Sequence, residues 1–180
     1  MNAHLHPSTS RRPSRILGWI VAAFVILLTA LGLISWIKTH ELRTEIVIDA
    51  PADRVWDVLV DFADYPQWNP FITRIEGTPE TGARLTADLD GDLAMTITPT
   101  ILHVEPAREL RWLGRLWIPG LLDGEHRFQL EELEPGRTRL VHAEEFRGLL
   151  IPLVWPWMAD STEAGFRAMN EALRARAADR

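Results

Sequence analysis

The chain has 180 residues, 47% of them hydrophobic, enough to bury one sizeable core and short for two. It contains no cysteine, so disulfides and thiolate zinc sites are excluded. Of its 19 basic residues, Arg11, Arg12 and Arg15 precede every acidic one, so 16 remain against 25 acidic residues, and a domain of net charge −9 is not expected to take nucleic acid as a partner.

Residues 1–15, rich in Ser, Pro, His and Arg, read as a disordered basic tail, a reading favoured over weak metal binding by His4 and His6. Ile16 to Ile37 is an uncharged run of 22 residues. As a helix it would be about 33 Å long, against about 30 Å of bilayer hydrocarbon, so a transmembrane helix is expected at 16–37 and the membrane as a partner. Trp19 and Trp36 sit near its ends, and Arg15 and Lys38 bracket it. Cleavage at Ala30-Leu31-Gly32 is the alternative, less favoured because the apolar run continues past it. The arginine excess at the N-terminal end places the folded domain on the outer face of a single-pass membrane protein. Residues 38–44 are then a linker and 45–178 the folded domain.

Leu42 to Asp49 reads as a strand, and Ala50 to Ile72 as a helix followed by a proline-broken aromatic turn. Pro51 suits a first helical turn, and Asp53 favours the positive end of the helix dipole. Val55, Trp56, Leu59 and Phe62 recur at helical spacing, while Asp53, Asp57 and Asp61 fall on the opposite face. Pro66 and Pro70 disfavour helical geometry at Tyr65 and Asn69. Turn residues then separate strands at Thr73 to Glu76, Arg84 to Asp90, Ala94 to Val104, Glu109 to Trp117, Leu122 to Leu133 and Thr138 to Phe146. The last element is a long helix from about Leu153 to Ala178. Met158, Thr162, Phe166, Met169 and Leu173 form its apolar stripe, with Glu163 and Arg167 paired on the far side.

The segment Ala50 to Ile72 resembles the N-terminal part of the START-like helix-grip superfamily, or SRPBCC, and most of all its polyketide cyclase/dehydrase and lipid-transport branch. Glu105-Pro106 with Leu110-Arg111-Trp112 is similar to the central hairpin of that family, and Phe146-Arg147-Gly148-Leu149-Leu150 to the run before its last helix. The resemblance covers roughly Glu41 to Arg176. It implies an α+β helix-grip fold, in which a curved antiparallel sheet wraps a long C-terminal helix and leaves a cavity between them. The superfamily supports binding, transport and catalysis, so fold does not decide function.

The hairpin at Glu134-Pro135-Gly136-Arg137 sets which polar groups face inward. If Glu134 opposes Arg137 and the pairing runs on regularly, Phe128 faces Ala143, Leu130 faces Val141 and His126 lies opposite Glu145. One extra residue in the turn would instead group His126 with His142, Glu144 and Phe146. The first register is preferred because it leaves Arg127, Gln129, His142 and Glu144 on the wet side. His126 is inward in both.

A satisfied polar pair that orients a ligand or merely fills the sheet is favoured for His126 and Glu145 over acid–base chemistry. No Ser-His-Asp order, HExxH, Walker loop or GxGxxG occurs, and His103 lies on another strand, so no metal or cofactor is expected. The superfamily shares no single catalytic set, so the resemblance implies no catalytic residue, and an enzymatic reading would need His126 or Glu145 as the proton-transfer group. Trp68, Trp117, Trp155 and Trp157 stand at the ends of elements, where a cavity mouth would be, and Gly165 would leave room on the last helix against Met95, Ile97 or Phe128, or permit close packing. The expected ligand-binding set is Trp68, Phe71, Met95, Ile97, Trp112, His126, Phe128, Glu145, Met158 and Phe166.

The leading expectation is a membrane-anchored domain binding a hydrophobic small molecule or lipid. It is favoured over a cyclase, aromatase or dehydratase-type enzyme, and over an interaction module acting through Trp155-Pro156-Trp157.

Overall fold

The structure, a computed structural model, describes residues 15–37, 39–91 and 94–178, without the side chains of 15, 16, 31 and 33–37. The tail with His4, His6, Arg11 and Arg12, the side chains of Arg15 and Trp36, and Lys38 lie outside the described residues. A helix, α1 (Arg15–Ile37), forms where the apolar run falls. Among the described residues, however, no helix is long and apolar enough to cross a membrane. The expected span at 16–37, the membrane as its partner and the outer-face localisation are corrected accordingly.

The next strand, β1 (His40–Ile48), begins inside the stretch expected as a linker and buries Leu42, Thr44 and Ile48. Pro51 caps α2 (Ala52–Val60), accepting the first helical bond from Val55 N at 3.1 Å. Val55, Trp56 and Leu59 are buried while Asp53 and Asp57 stay exposed, as the helical spacing requires. A 3₁₀ turn (Phe62–Asp64) leads into a short helix, α3 (Tyr65–Trp68). Tyr65 is helical, contrary to the effect expected of Pro66. Its ring is fully buried and its hydroxyl donates to the Leu59 carbonyl at 2.7 Å, which offsets the local steric cost, and Pro66 sits in the first turn, where no N–H is needed. Asn69 is extended, as expected before Pro70.

Among the described residues, eight strands form two antiparallel sheets. The smaller has the order β2-β3-β4, from β2 (Ile72–Glu76), β3 (Thr86–Leu89) and β4 (Met95–Ile97). The larger has the order β1-β8-β7-β6-β5, with β5 (Thr100–Glu105), β6 (Glu109–Arg115), β7 (Asp123–Glu134) and β8 (Arg137–Arg147). The single strand expected over Ala94 to Val104 is broken at Pro99, which has no N–H to give a ladder. The break passes the chain from one sheet to the other, and the sheets stay joined through an Arg84–Thr100 bridge and a bond from Leu85 N to Pro99 O at 2.8 Å.

The helix α4 (Ile151–Ala178) closes the fold, burying Met158, Phe166, Met169, Asn170 and Leu173 against the sheet and α2. Glu163 and Arg167 pair on its outer side. A half-buried sheet and a one-sided helix have covered each other.

The β7–β8 register departs from the preferred expectation. Glu134 does oppose Arg137, but Leu133 bulges out, so Glu132 already faces Thr138 and every later pair is displaced by one. His126 therefore lies opposite Glu144, not Glu145. Glu145 is turned to the outer face, where it pairs with Arg147.

Candidate functional site

Between the sheets and α4 lies a cavity of about 260 Å³. Its walls are largely apolar: Ile72 and Leu89 from the small sheet, Ile97 and Trp112 from β4 and β6, Phe146 from β8 and Met158 from α4. Asp90 and Arg115 border it but are exposed, and Ser161 and Thr162 approach from α4. On the sheet side the polar lining consists of His126 and Glu144.

Among the expected ligand-binding residues, Phe71, Met95, Ile97, Trp112, His126 and Met158 line this space. Phe128 and Phe166 do not; both are fully buried behind it, Phe128 against Trp112 and His142, and Phe166 stacked on His142 at 3.9 Å between ring centres. Trp68 packs edge-on to Tyr65, away from the lining. Glu145 lies on the opposite face of the sheet for the register reason given above. At the mouth, Trp157 lines the cavity and is exposed, Trp117 is exposed on the β6–β7 loop, and Trp155 packs on His40 and Phe146.

Two backbone features shape the space. Asn69 Oδ1 accepts from Phe71 N at 3.0 Å and Ile72 N at 2.9 Å, turning the chain so that the Phe71 ring enters the wall. Gly124 leaves a slot on β7 that the Glu144 carboxylate fills; a Cβ there would overlap Glu144 Oε1.

His126 stands at one end of a buried hydrogen-bonded chain that crosses from sheet to helix. Its Nδ1 faces Glu144 Oε2 at 3.0 Å and its Nε2 faces His142 Nε2 at 2.7 Å. His142 Nδ1 meets Asn170 Oδ1 at 2.8 Å, and Asn170 Nδ2 donates to Thr44 Oγ1 at 2.9 Å. The Thr44 hydroxyl donates to the His142 carbonyl at 3.3 Å. Trp112 stacks on His126 with ring centres 4.9 Å apart.

Donors and acceptors along this chain determine one another. Asn170 donates through Nδ2 to Thr44 and so presents its oxygen to His142, which puts the proton of His142 on Nδ1. Its Nε2 is then an acceptor, and His126 Nε2 must donate. What remains is His126 Nδ1 facing a carboxylate oxygen, two acceptors unless one more proton lies between them. Glu144 and His126 therefore share a proton, as imidazolium with carboxylate or as imidazole with carboxylic acid. Burial, followed by the charge of His126, holds the pKa of His142 well below the ordinary histidine value, against the opposing bonds to Asn170 and Phe166. A neutral His142 agrees with the donor accounting.

Glu144 and His142, which the preferred register sets on the wet side, face inward, and Asn170, Thr44 and Gly124 lie outside the set expected from the sequence. The signals were present in part: the alternative register grouped His126 with His142 and Glu144, and Asn170 falls four residues after Phe166 on the apolar stripe of α4. Among the described residues, no group of three or more His, Cys, Asp or Glu side chains is placed to hold a metal.

Residues 39–178 match the family model described as polyketide cyclase / dehydrase and lipid transport. The chain belongs to this family. Solved members of the helix-grip fold superpose on it at low identity. The Zhui aromatase/cyclase from Streptomyces sp. R1128 is 20% identical with a TM-score of 0.65, over 78% of this chain and 94% of that one. A START superfamily protein from Mycobacterium smegmatis is 18% identical with a TM-score of 0.64, over 77% and 97%. Truncated norcoclaurine synthase from Thalictrum flavum is 13% identical with a TM-score of 0.63, over 79% and 96%. No curated sequence relative matches. These likenesses establish the α+β helix-grip fold of this polyketide cyclase/dehydrase family member. They join proteins titled as cyclases or synthases with one titled only by its superfamily, so a cyclase-type activity and simple ligand binding both stand within the fold.

Proposed function

We propose that the domain binds a hydrophobic small molecule or lipid between its sheets and α4, and that it acts first as a binding protein. The observation that carries this reading is the cavity of about 260 Å³, apolar on most sides and polar at His126 and Glu144. Removing apolar ligand surface from water would drive binding at about 25 cal/mol per Å², while the polar corner would set orientation. The cavity also speaks against a solidly filled interaction module built on Trp155-Pro156-Trp157.

The test is native mass spectrometry of the purified protein, with titration of the neutral fluorophore N-phenyl-1-naphthylamine. A retained small molecule, or saturable probe binding with quenching of tryptophan fluorescence, is the expected result. Absence of both overturns the reading.

One observation favours a second reading, a cyclase or dehydratase-type enzyme: His126 Nδ1 and Glu144 Oε2 meet at 3.0 Å on the cavity wall. In that case proton transfer at a bound substrate would pass through this pair. Turnover of a polyketide-like substrate, abolished in His126→Ala with probe binding retained, would favour it. Turnover unchanged in that variant would remove His126 from any such role.

A further inference from the structure

On the sheet side, the cavity wall has a polar atom whose bonding is incomplete. Glu144 Oε2 is engaged by His126, but Glu144 Oε1 lies over Gly124 in the cavity wall and has no hydrogen-bond partner among the described residues. Its chemical character does not depend on where the shared proton resides. If His126 is imidazolium, Glu144 is a carboxylate and Oε1 accepts. If Glu144 is the acid, its proton is on Oε2 and Oε1 is the carbonyl oxygen, which also accepts. A ligand that completes this site must bring a donor.

The shared proton also sets the charge of the site. His126 and Glu144 together are neutral overall, whether as an ion pair or as two uncharged groups. An ammonium ligand would give up its hydration beside a pair that carries no net charge, and the Asp90 carboxylate at the border of the cavity is exposed to water. A neutral hydroxyl loses far less and gains a bond to Glu144 Oε1. Trp112, Phe71 and Phe146 around it provide ring surfaces for an aromatic body.

We propose that Glu144 Oε1 is the ligand-reading atom of the cavity, and that it selects apolar ring compounds bearing a neutral hydroxyl, such as phenols, over their ethers and over ammonium analogues. His126 positions the carboxylate from one side and Gly124 makes room for it from the other. The His142–Asn170–Thr44 chain holds His126 in the tautomer that leaves Nδ1 facing Glu144. The proposal rests on the cavity-binding reading and adds the ligand class.

The test compares three probes of one ring size on the full chain at neutral pH: 2-naphthol, 2-methoxynaphthalene and 2-naphthylmethylamine. The wild-type protein is expected to bind 2-naphthol about tenfold more tightly than either other probe, the scale of one hydrogen bond in a largely apolar cavity. Glu144→Gln can donate to His126 Nδ1 and still present its carbonyl oxygen, so it keeps the preference. Glu144→Leu loses it, and so does Gly124→Ala, in which the added methyl displaces Oε1. The wild-type comparison and Glu144→Gln decide the matter even if Glu144→Leu fails to fold. Equal binding of the three probes by the wild type, or loss of the preference in Glu144→Gln, overturns the proposal and leaves the cavity-binding reading intact. Failure of all three naphthalenes and of N-phenyl-1-naphthylamine overturns both.

Discussion

Gly165 on α4 lies against the ring of Phe71, so closely that a Cβ at position 165 would overlap the ring and approach its Cγ to 2.9 Å. Phe71 in turn meets Phe166 edge-on, with ring centres 5.6 Å apart. The glycine admits an aromatic ring from the turn before β2, where the sequence had pointed to Met95, Ile97 or Phe128 as the neighbour.

Gly165→Ala follows from that contact. The alanine gains about 1 kcal/mol of helix propensity, but overpacking costs about 1–3 kcal/mol, and the overlap reaches the root of the ring, so Phe71 must leave its rotamer. We expect a net loss of about 1 kcal/mol by urea denaturation. Phe71 should also be pushed into the cavity and weaken N-phenyl-1-naphthylamine binding. A more stable variant with unchanged probe affinity would contradict the packing described.

Asn69→Ala removes the acceptor of two backbone N–H groups at the entry to β2. The expected cost is about 1–3 kcal/mol, since Ile72 N is buried. Asn69→Asp keeps an acceptor at the same place and should lose less. Paired denaturation curves check the order of the two variants.

His142 makes stability depend on acid. Its folded-state pKa is depressed, first by burial and then by His126, so below the unfolded value of about 6.5 the unfolded chain takes up a proton that the folded chain refuses. More protons bound when unfolded means stability falls as pH falls, from about 6.5 downward to the depressed folded value. Between pH 7 and 5.5 the wild type should lose more stability than His142→Gln, with a limiting difference of about 1.4 kcal/mol per pH unit. Equal pH slopes for the two proteins would show that His142 is not held neutral.

Deleting Leu133 should be tolerated. Its neighbours already pair as Glu132 with Thr138 and Glu134 with Arg137, so removing the bulged residue joins two correct pairs into a regular ladder. We expect a stability change within about 1 kcal/mol. Deleting Gln129 would instead slide residues 130–133 by one, turning Leu130 outward and setting Glu131 opposite the buried Leu140. Thermal melts of the two deletions should differ sharply.

Much of the fold was legible because its signals are local. The spacing of Val55, Trp56 and Leu59 is a property of nearest neighbours, and so are the Glu134-Pro135-Gly136-Arg137 turn and the Met158–Phe166–Leu173 stripe. A local signal also misled. The run 16–37 reads as a membrane span by hydropathy, and it forms a helix, but no described helix is long and apolar enough to cross. Pro99 was visible as a residue and not as the point where one strand becomes two. Its missing N–H matters only once the two sheets compete for the chain on either side.

The site was half legible. Inward placement of His126 followed from period-two alternation in either register, which needs only the residues of one strand. Its partner did not, because a single bulge at Leu133 exchanges Glu145 for Glu144 along the whole of β8. Asn170 and Thr44 join the site from a helix and a strand remote in sequence, and Gly124 matters only because β8 brings Glu144 over it. Sequence alone determined which elements form and which faces are apolar, because those follow from side-chain periodicity. Only the tertiary structure decided which polar groups meet, because hydrogen-bond partners are set by register and by where α4 comes to rest on the sheet.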